Sequence, residues 1–126
     1  MKKILLVDDH APTRLILSLV LSESWQQYHI LQASNGEEAC AMAISEQPDL
    51  MLLDICMPVL DGYETLARLR ENPETHGIKV MMLTAQDLPL QKKLALDFGA
   101  DGFLVKPFRT DELRRSVQNA LTSCRR

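Results

Sequence analysis

The sequence has little of what several common functions require. Its three cysteines, Cys40, Cys56 and Cys124, are an odd number set far apart. No pair has metal-ligand spacing and a disulfide framework is not indicated, so a reducing cytoplasm is the expected location. No stretch approaches the roughly 20 apolar residues that a membrane-spanning helix needs. Met1-Lys2-Lys3 followed by four apolar residues, Ile4 to Val7, has the start of a signal peptide, but Asp8 and Asp9 cut the run short. Positive charge is not in excess. Against 17 Asp+Glu stand 14 Lys+Arg, a formal net charge of −3, whereas a domain that grips nucleic acid by itself carries a basic face. No glycine-rich loop follows the first apolar run, which counts against a nucleotide-binding domain. No serine or cysteine is paired with a histidine as an activated nucleophile.

What is present points to one globular domain. A chain of 126 residues, 46% hydrophobic and 25% charged, can bury a sufficient core without staples. Four short apolar runs stand at residues 4–7, 50–53, 80–83 and 103–105, with a weaker fifth at 28–33 that carries His29 and Gln32. Segments of helical length and pattern lie at 12–24, 37–45, 63–70, 90–98 and 111–121. Pro12 suits a first helical turn, Gly99 a helix stop and Thr110 an N-cap. Strand and helix thus alternate five times, which predicts a parallel sheet with helices on both faces. The first, third and fourth runs in chain order of strands are apolar throughout, as interior strands should be. The mixed run at 28–33 and the short one at 103–105 read as edges, which fits the doubly wound order 2-1-3-4-5. We expect the domain over residues 1–122 and a tail or linker start over 123–126, where Arg125-Arg126 read as solvated charge.

The chemistry is expected where these runs end. Asp8 and Asp9 close the first, Asp54 the third, Thr84 the fourth and Lys106 the fifth. In a parallel sheet all five fall at the carboxyl edge, where open α/β folds bind ligands. Singly, each has a plainer reading: Asp9 as a cap for a helix opening at Pro12, Thr84 as a turn residue, Lys106-Pro107 as a loop. Together, three carboxylates in one crevice repel one another unless a cation binds or a proton is retained. A hard cation such as Mg²⁺ suits them, since it takes one or two carboxylates plus phosphate oxygens and waters. One carboxylate could then attack phosphorus to give an acyl phosphate, with Lys106 and Thr84 supplying a cation and a hydroxyl to the phosphoryl oxygens. His10, His29 and His76 lie outside this set.

The residues now quoted carry a resemblance. Ile4-Leu5-Leu6-Val7-Asp8-Asp9, Leu53-Asp54-Ile55-Cys56-Met57-Pro58 with Asp61-Gly62, Leu83-Thr84-Ala85, and Gly99-Ala100-Asp101-Gly102 through Val105-Lys106-Pro107-Phe108 resemble, in order and over essentially the whole chain, the receiver domains of two-component response regulators. The resemblance implies a flavodoxin-like fold and a signalling domain rather than an enzyme, which takes a phosphoryl group from a sensor histidine kinase. It implies Asp54 as phosphoacceptor, and Asp8, Asp9, Asp54 and the backbone carbonyl of Cys56 as Mg²⁺ ligands. Thr84 and Lys106 would hold the phosphoryl group, with Thr84 and Phe103 as switch residues and Pro107 following a cis bond. Cys56 and Gln86 would border the phosphoryl group and tune its lifetime. Phe103 read without the family is core filler, and it lacks the hydroxyl of Tyr, so it can report only by packing. Output is expected through the face of the fourth helix, fifth strand and fifth helix, toward a different partner or a second copy; Lys92, Lys93, Asp97, Glu112, Arg114 and Arg115 mix signs there.

Two rival classes remain. Haloacid-dehalogenase-type phosphatases also combine Asp, Thr, Lys and Mg²⁺, but resemble a pattern with a second acid two residues after the nucleophile, where this chain has Cys56. A phosphorylation-independent docking module would be marked by loss of Asp9, Asp54 or Lys106, and all three are present.

Overall fold

A computed structural model describes residues 1–23, 27–57, 60–85 and 89–122. Five strands alternate with five helices: β1 (Lys2–Val7), α1 (Ala11–Ser22), β2 (Tyr28–Ala33), α2 (Gly36–Glu46), β3 (Leu50–Asp54), α3 (Gly62–Glu71), β4 (Lys79–Thr84), α4 (Pro89–Asp97), β5 (Gly102–Val105) and α5 (Thr110–Thr122). All pairings are parallel, in the order β2-β1-β3-β4-β5. The expected doubly wound sheet is therefore present, with the mixed and short strands at its edges. Among the described residues no helix is long and apolar enough to cross a membrane. Ser24, Pro58, Gln86 and the expected tail, with Cys124, lie outside the described residues.

The alternation of strand side chains decides which helices cover which face. In β1, Leu5 and Val7 join a core with Ala39 and Ala43 of α2, Leu66 and Leu69 of α3 and Ala95 of α4. Ile4 and Leu6 face the other way, into a core with Leu17 and Leu21 of α1 and Leu113 and Val117 of α5. Every residue of β3 is buried, because both of its faces are covered. Burying each such Leu or Val contributes about 1.5–3 kcal/mol, so the central strands form the rigid part of the fold.

Helix ends depart from expectation by small, explicable amounts. α1 opens one residue early, at Ala11, with Pro12 in its first turn and His10 as a cap that makes no side-chain capping bond. Asp9 does not cap it. α5 starts at Thr110 itself; the Arg109 N–H instead donates to the Glu112 carboxylate at 3.3 Å, half of a capping box built one residue earlier. Gly99 follows α4 at φ +99°, the left-handed turn expected of a helix stop. Gly62 serves a different purpose, close approach: a Cβ there would lie 2.6 Å from the Asp54 carbonyl oxygen and 2.7 Å from Ile55 Cα. Its N–H donates to the Ile55 carbonyl at 2.8 Å. The first turn of α3 is thereby seated on the end of β3.

Candidate phosphoryl and metal site

The sheet brings Asp8, Asp9, Asp54, Thr84 and Lys106 to its carboxyl edge, as their strand ends require. Asp54 and Thr84 are the last residues of β3 and β4; Asp8 follows β1 and Lys106 follows β5. One oxygen from each of Asp8, Asp9 and Asp54 lies within 4.8 Å of the other two. Asp8 is 2% exposed and Asp54 8%, while Asp9 faces solvent.

The charges are partly compensated. Lys106 Nζ stands 3.3 Å from Asp8 Oδ2 and 3.7 Å from Asp54 Oδ1, so one ammonium bridges two acids. Asp8 Oδ1 accepts the His10 N–H at 2.8 Å, and the Asp8 carbonyl accepts from the Arg14 guanidinium. Burial holds the Asp54 carboxyl above its ordinary pKa. Lys106 opposes that shift, Asp8 adds to it, a hydrogen bond from the Cys56 backbone lowers it, and Asp9 raises it again. Thr84 is buried at 3% exposure. The Lys106 N–H donates to the Thr84 carbonyl at 2.6 Å, and the Lys106-Pro107 peptide is cis.

This donor set fits a hard divalent cation. All three side chains offer oxygen, and the exposed Asp9 leaves one side open for waters. Cys56 is exposed just beyond the end of β3, and Phe103 is half-buried on β5, opposite Met82 and against the core of α2, α3 and α4. The histidines are elsewhere or otherwise engaged: His10 Nδ1 meets Thr13 Oγ1 at 2.7 Å, His29 is exposed on β2, and His76 lines a cavity of about 450 Å³ at the opposite, amino edge of the sheet. Arg14 was not among the site residues expected from the sequence. A cation in the first turn of the helix after two acids was the available signal.

Comparison with known proteins identifies the family and the fold. The family model of the response regulator receiver domain matches residues 4–118. The alkaline phosphatase synthesis transcriptional regulatory protein PhoP of Bacillus subtilis is 40% identical over 120 residues, which are 95% of this chain and 48% of that protein. The transcriptional regulatory protein CpxR of Klebsiella pneumoniae is 42% identical over 121 residues, 96% of this chain and 50% of that protein. The chain thus spans about half the length of the curated relatives it matches. Among solved structures, the chemotaxis protein CheY4 of Vibrio cholerae superposes with a TM-score of 0.87 at 32% identity, covering 95% of this chain and 98% of that one. The receiver domain of a sensor histidine kinase from Pseudomonas aeruginosa, solved with a magnesium ion coordinated in its active-site cleft, gives 0.87 at 29% identity and covers 97% and 98%.

Proposed function

The chain belongs to the response regulator receiver family, and from that premise we propose that it is a Mg²⁺-dependent phospho-switch whose acceptor is Asp54. Receiver domains are signalling domains, and phosphoryl acceptance is their general function. The observation that carries the finer reading is the carboxylate cluster with Lys106 set between Asp8 and Asp54. Asp8, Asp9, Asp54 and the Cys56 carbonyl would hold Mg²⁺, which when bound offsets the carboxylate charge and that of phosphoryl oxygens. An Asp54 oxygen attacks phosphorus, the bond from phosphorus to the donor's histidine nitrogen breaks, and that nitrogen keeps the electron pair. Lys106 then turns from carboxylate to phosphoryl oxygen, and the Thr84 hydroxyl donates to another.

The donor in this proposal is a sensor histidine kinase, residues 1–122 form the switching domain, and the cytoplasm is its location. Cys56 and Gln86 tune the lifetime of the acyl phosphate. Thr84 moves toward the added charge, Phe103 packs inward behind it, and the face of α4, β5 and α5 changes shape for a partner or a second copy. Moving such an equilibrium from 1:99 to 99:1 takes about 5.5 kcal/mol, within reach of several charge-assisted bonds. Intact-mass spectrometry with Mg²⁺ and acetyl phosphate tests the assignment. One base-labile phosphoryl group is expected, absent in Asp54→Asn; an equally modified variant defeats it.

A further inference from the structure

The site described so far leaves unused a contact between α3 and α4. The Tyr63 hydroxyl donates to the Gln91 carboxamide oxygen, and the Tyr63 ring packs against Phe98 with centroids 5.2 Å apart and planes tilted by 57°. Tyr63 directly follows Gly62, whose N–H is bonded to the Ile55 carbonyl and where an added Cβ would meet the Asp54 carbonyl oxygen. Tyr63 is therefore referenced to the acceptor strand. Gln91 is referenced to something else. It lies in the first turn of α4, which opens at Pro89, five residues beyond Thr84 at the end of β4.

α4 is lightly held between these two references. Of its nine residues only Ala95 is buried; Leu90 and Leu96 are 67% and 57% exposed, and Phe98, just after the helix, 41%. The turn after it is fixed by Arg70, whose guanidinium donates twice to the Gly99 carbonyl, at 3.0 and 2.8 Å. Were Thr84 drawn toward a phosphoryl group, a helix pinned at its far end would pivot, and the Tyr63–Gln91 bond spans the end that would move. Burial and the nearby Asp61 and Cys56 raise the phenol pKa, which keeps the hydroxyl a donor.

We propose that the Tyr63–Gln91 hydrogen bond is a latch that holds the first turn of α4 in the resting state and opens when Thr84 is drawn toward a phosphoryl group on Asp54. The resting assignment follows from Lys106, which pairs with the free Asp54 carboxylate in the same structure. The latch supplies from α3 the polar restraint that Phe103, with no hydroxyl, cannot supply from β5. The inference rests on the phospho-switch reading of Asp54.

Amide spectra of the whole chain at saturating Mg²⁺, titrated with beryllofluoride as the phosphoryl mimic, test it. Tyr63→Phe keeps the ring on Phe98 and removes only the hydroxyl. Freed of a resting-state bond, the variant should bind beryllofluoride about threefold to tenfold more tightly, the factor one neutral hydrogen bond is worth. Amide exchange in the second turn of α4, whose N–H groups bond the carbonyls of the first, should rise by a similar factor without the mimic. Gln91→Leu should shift affinity in the same direction, and adding Tyr63→Phe to it should add nothing further. A responsive wild type matched by an unaltered Tyr63→Phe, or additive shifts in the double variant, overturns the latch alone. A wild type whose α4 amides ignore beryllofluoride overturns the switch reading and the latch with it.

Discussion

Asp54→Asn is expected to stabilise the metal-free protein at neutral pH. The carboxylate is 8% exposed, so its charge has lost most of its water. Lys106 at 3.7 Å attracts it by about 4–5 kcal/mol at an effective dielectric of about 20. On the same scale Asp8, with an oxygen within 4.8 Å, repels it by at least about 3.5 kcal/mol. Exposed Asp9 adds a screened repulsion. The pair terms nearly cancel, and burial decides the sign, in agreement with the raised pKa. Removing the charge while keeping the shape should gain about 1–2 kcal/mol, as is common when a strained functional charge is lost; Lys106 keeps Asp8 as its partner. A carboxyl raised in the folded state binds its proton more tightly there than in the unfolded chain. Its contribution to stability is present below the ordinary value of 3.8 and is lost as pH rises through the folded value. The advantage of the variant is therefore full at pH 7.5 and shrinks toward pH 4. Urea unfolding in chelator, at both pH values, measures it: with an m-value of about 1–3 kcal/mol/M, the midpoint should rise by about 0.5–1 M at neutral pH. Mg²⁺ should narrow the gap by stabilising the wild type, by about 1.4 kcal/mol at ten times its dissociation constant. A variant no more stable than wild type at pH 7.5, or a gap unchanged by acid, would refute the electrostatic account.

Three further outcomes are expected. Gly62→Ala should cost about 1–3 kcal/mol in urea unfolding, because its Cβ has no room beside the Asp54 carbonyl oxygen 2.6 Å away. Arg70→Ala should cost about 2–4 kcal/mol and expose the α4–β5 turn to hydrogen exchange, since its 13% exposed guanidinium also serves the carbonyls of His76 and Ile78 and the Asp101 carboxylate; Arg70→Lys should not restore it, because an ammonium cannot span those acceptors. Asp9→Ala should leave metal-free stability within about 0.5 kcal/mol, as exposed positions do, yet abolish the Mg²⁺-dependent rise in unfolding midpoint.

The site was legible in the sequence because of how a parallel sheet is made. A covered strand is an unbroken apolar run, so the residue that ends it is conspicuous, and the ends of β1, β3, β4 and β5 must share one edge. Asp8, Asp54, Thr84 and Lys106 could therefore be grouped without knowing a single distance. Helix ends were less legible. His10 caps α1 without cap chemistry, and α5 begins at Thr110 because Glu112 satisfies the Arg109 N–H from within the helix. Lateral contacts were not legible at all. Tyr63 and Gln91 are 28 residues apart, on different helices with no shared period. The Arg70 guanidinium reaches the backbone carbonyls of Gly99, His76 and Ile78, an acceptor every residue offers.

The same division explains how the fold can carry a strained site. The acids sit at the ends of β1 and β3, strands whose apolar residues bury on two faces, so the crevice geometry is held by the stiffest elements and repulsion cannot spread it. The elements that must respond lie opposite: α4 has one buried residue, and β5 pairs with β4 alone. Charge in the crevice and position in α4 are therefore separable quantities. Asp54→Asn changes the first and should leave the Tyr63–Gln91 contact in place, since Gly62 is seated on the Asp54 backbone and not on its carboxylate. Tyr63→Phe changes the second and should leave metal-free stability near wild type in its pH dependence. If the two substitutions instead reproduced each other's effects, α4 would be sensing the carboxylate charge directly, and the path through Thr84 would be unnecessary.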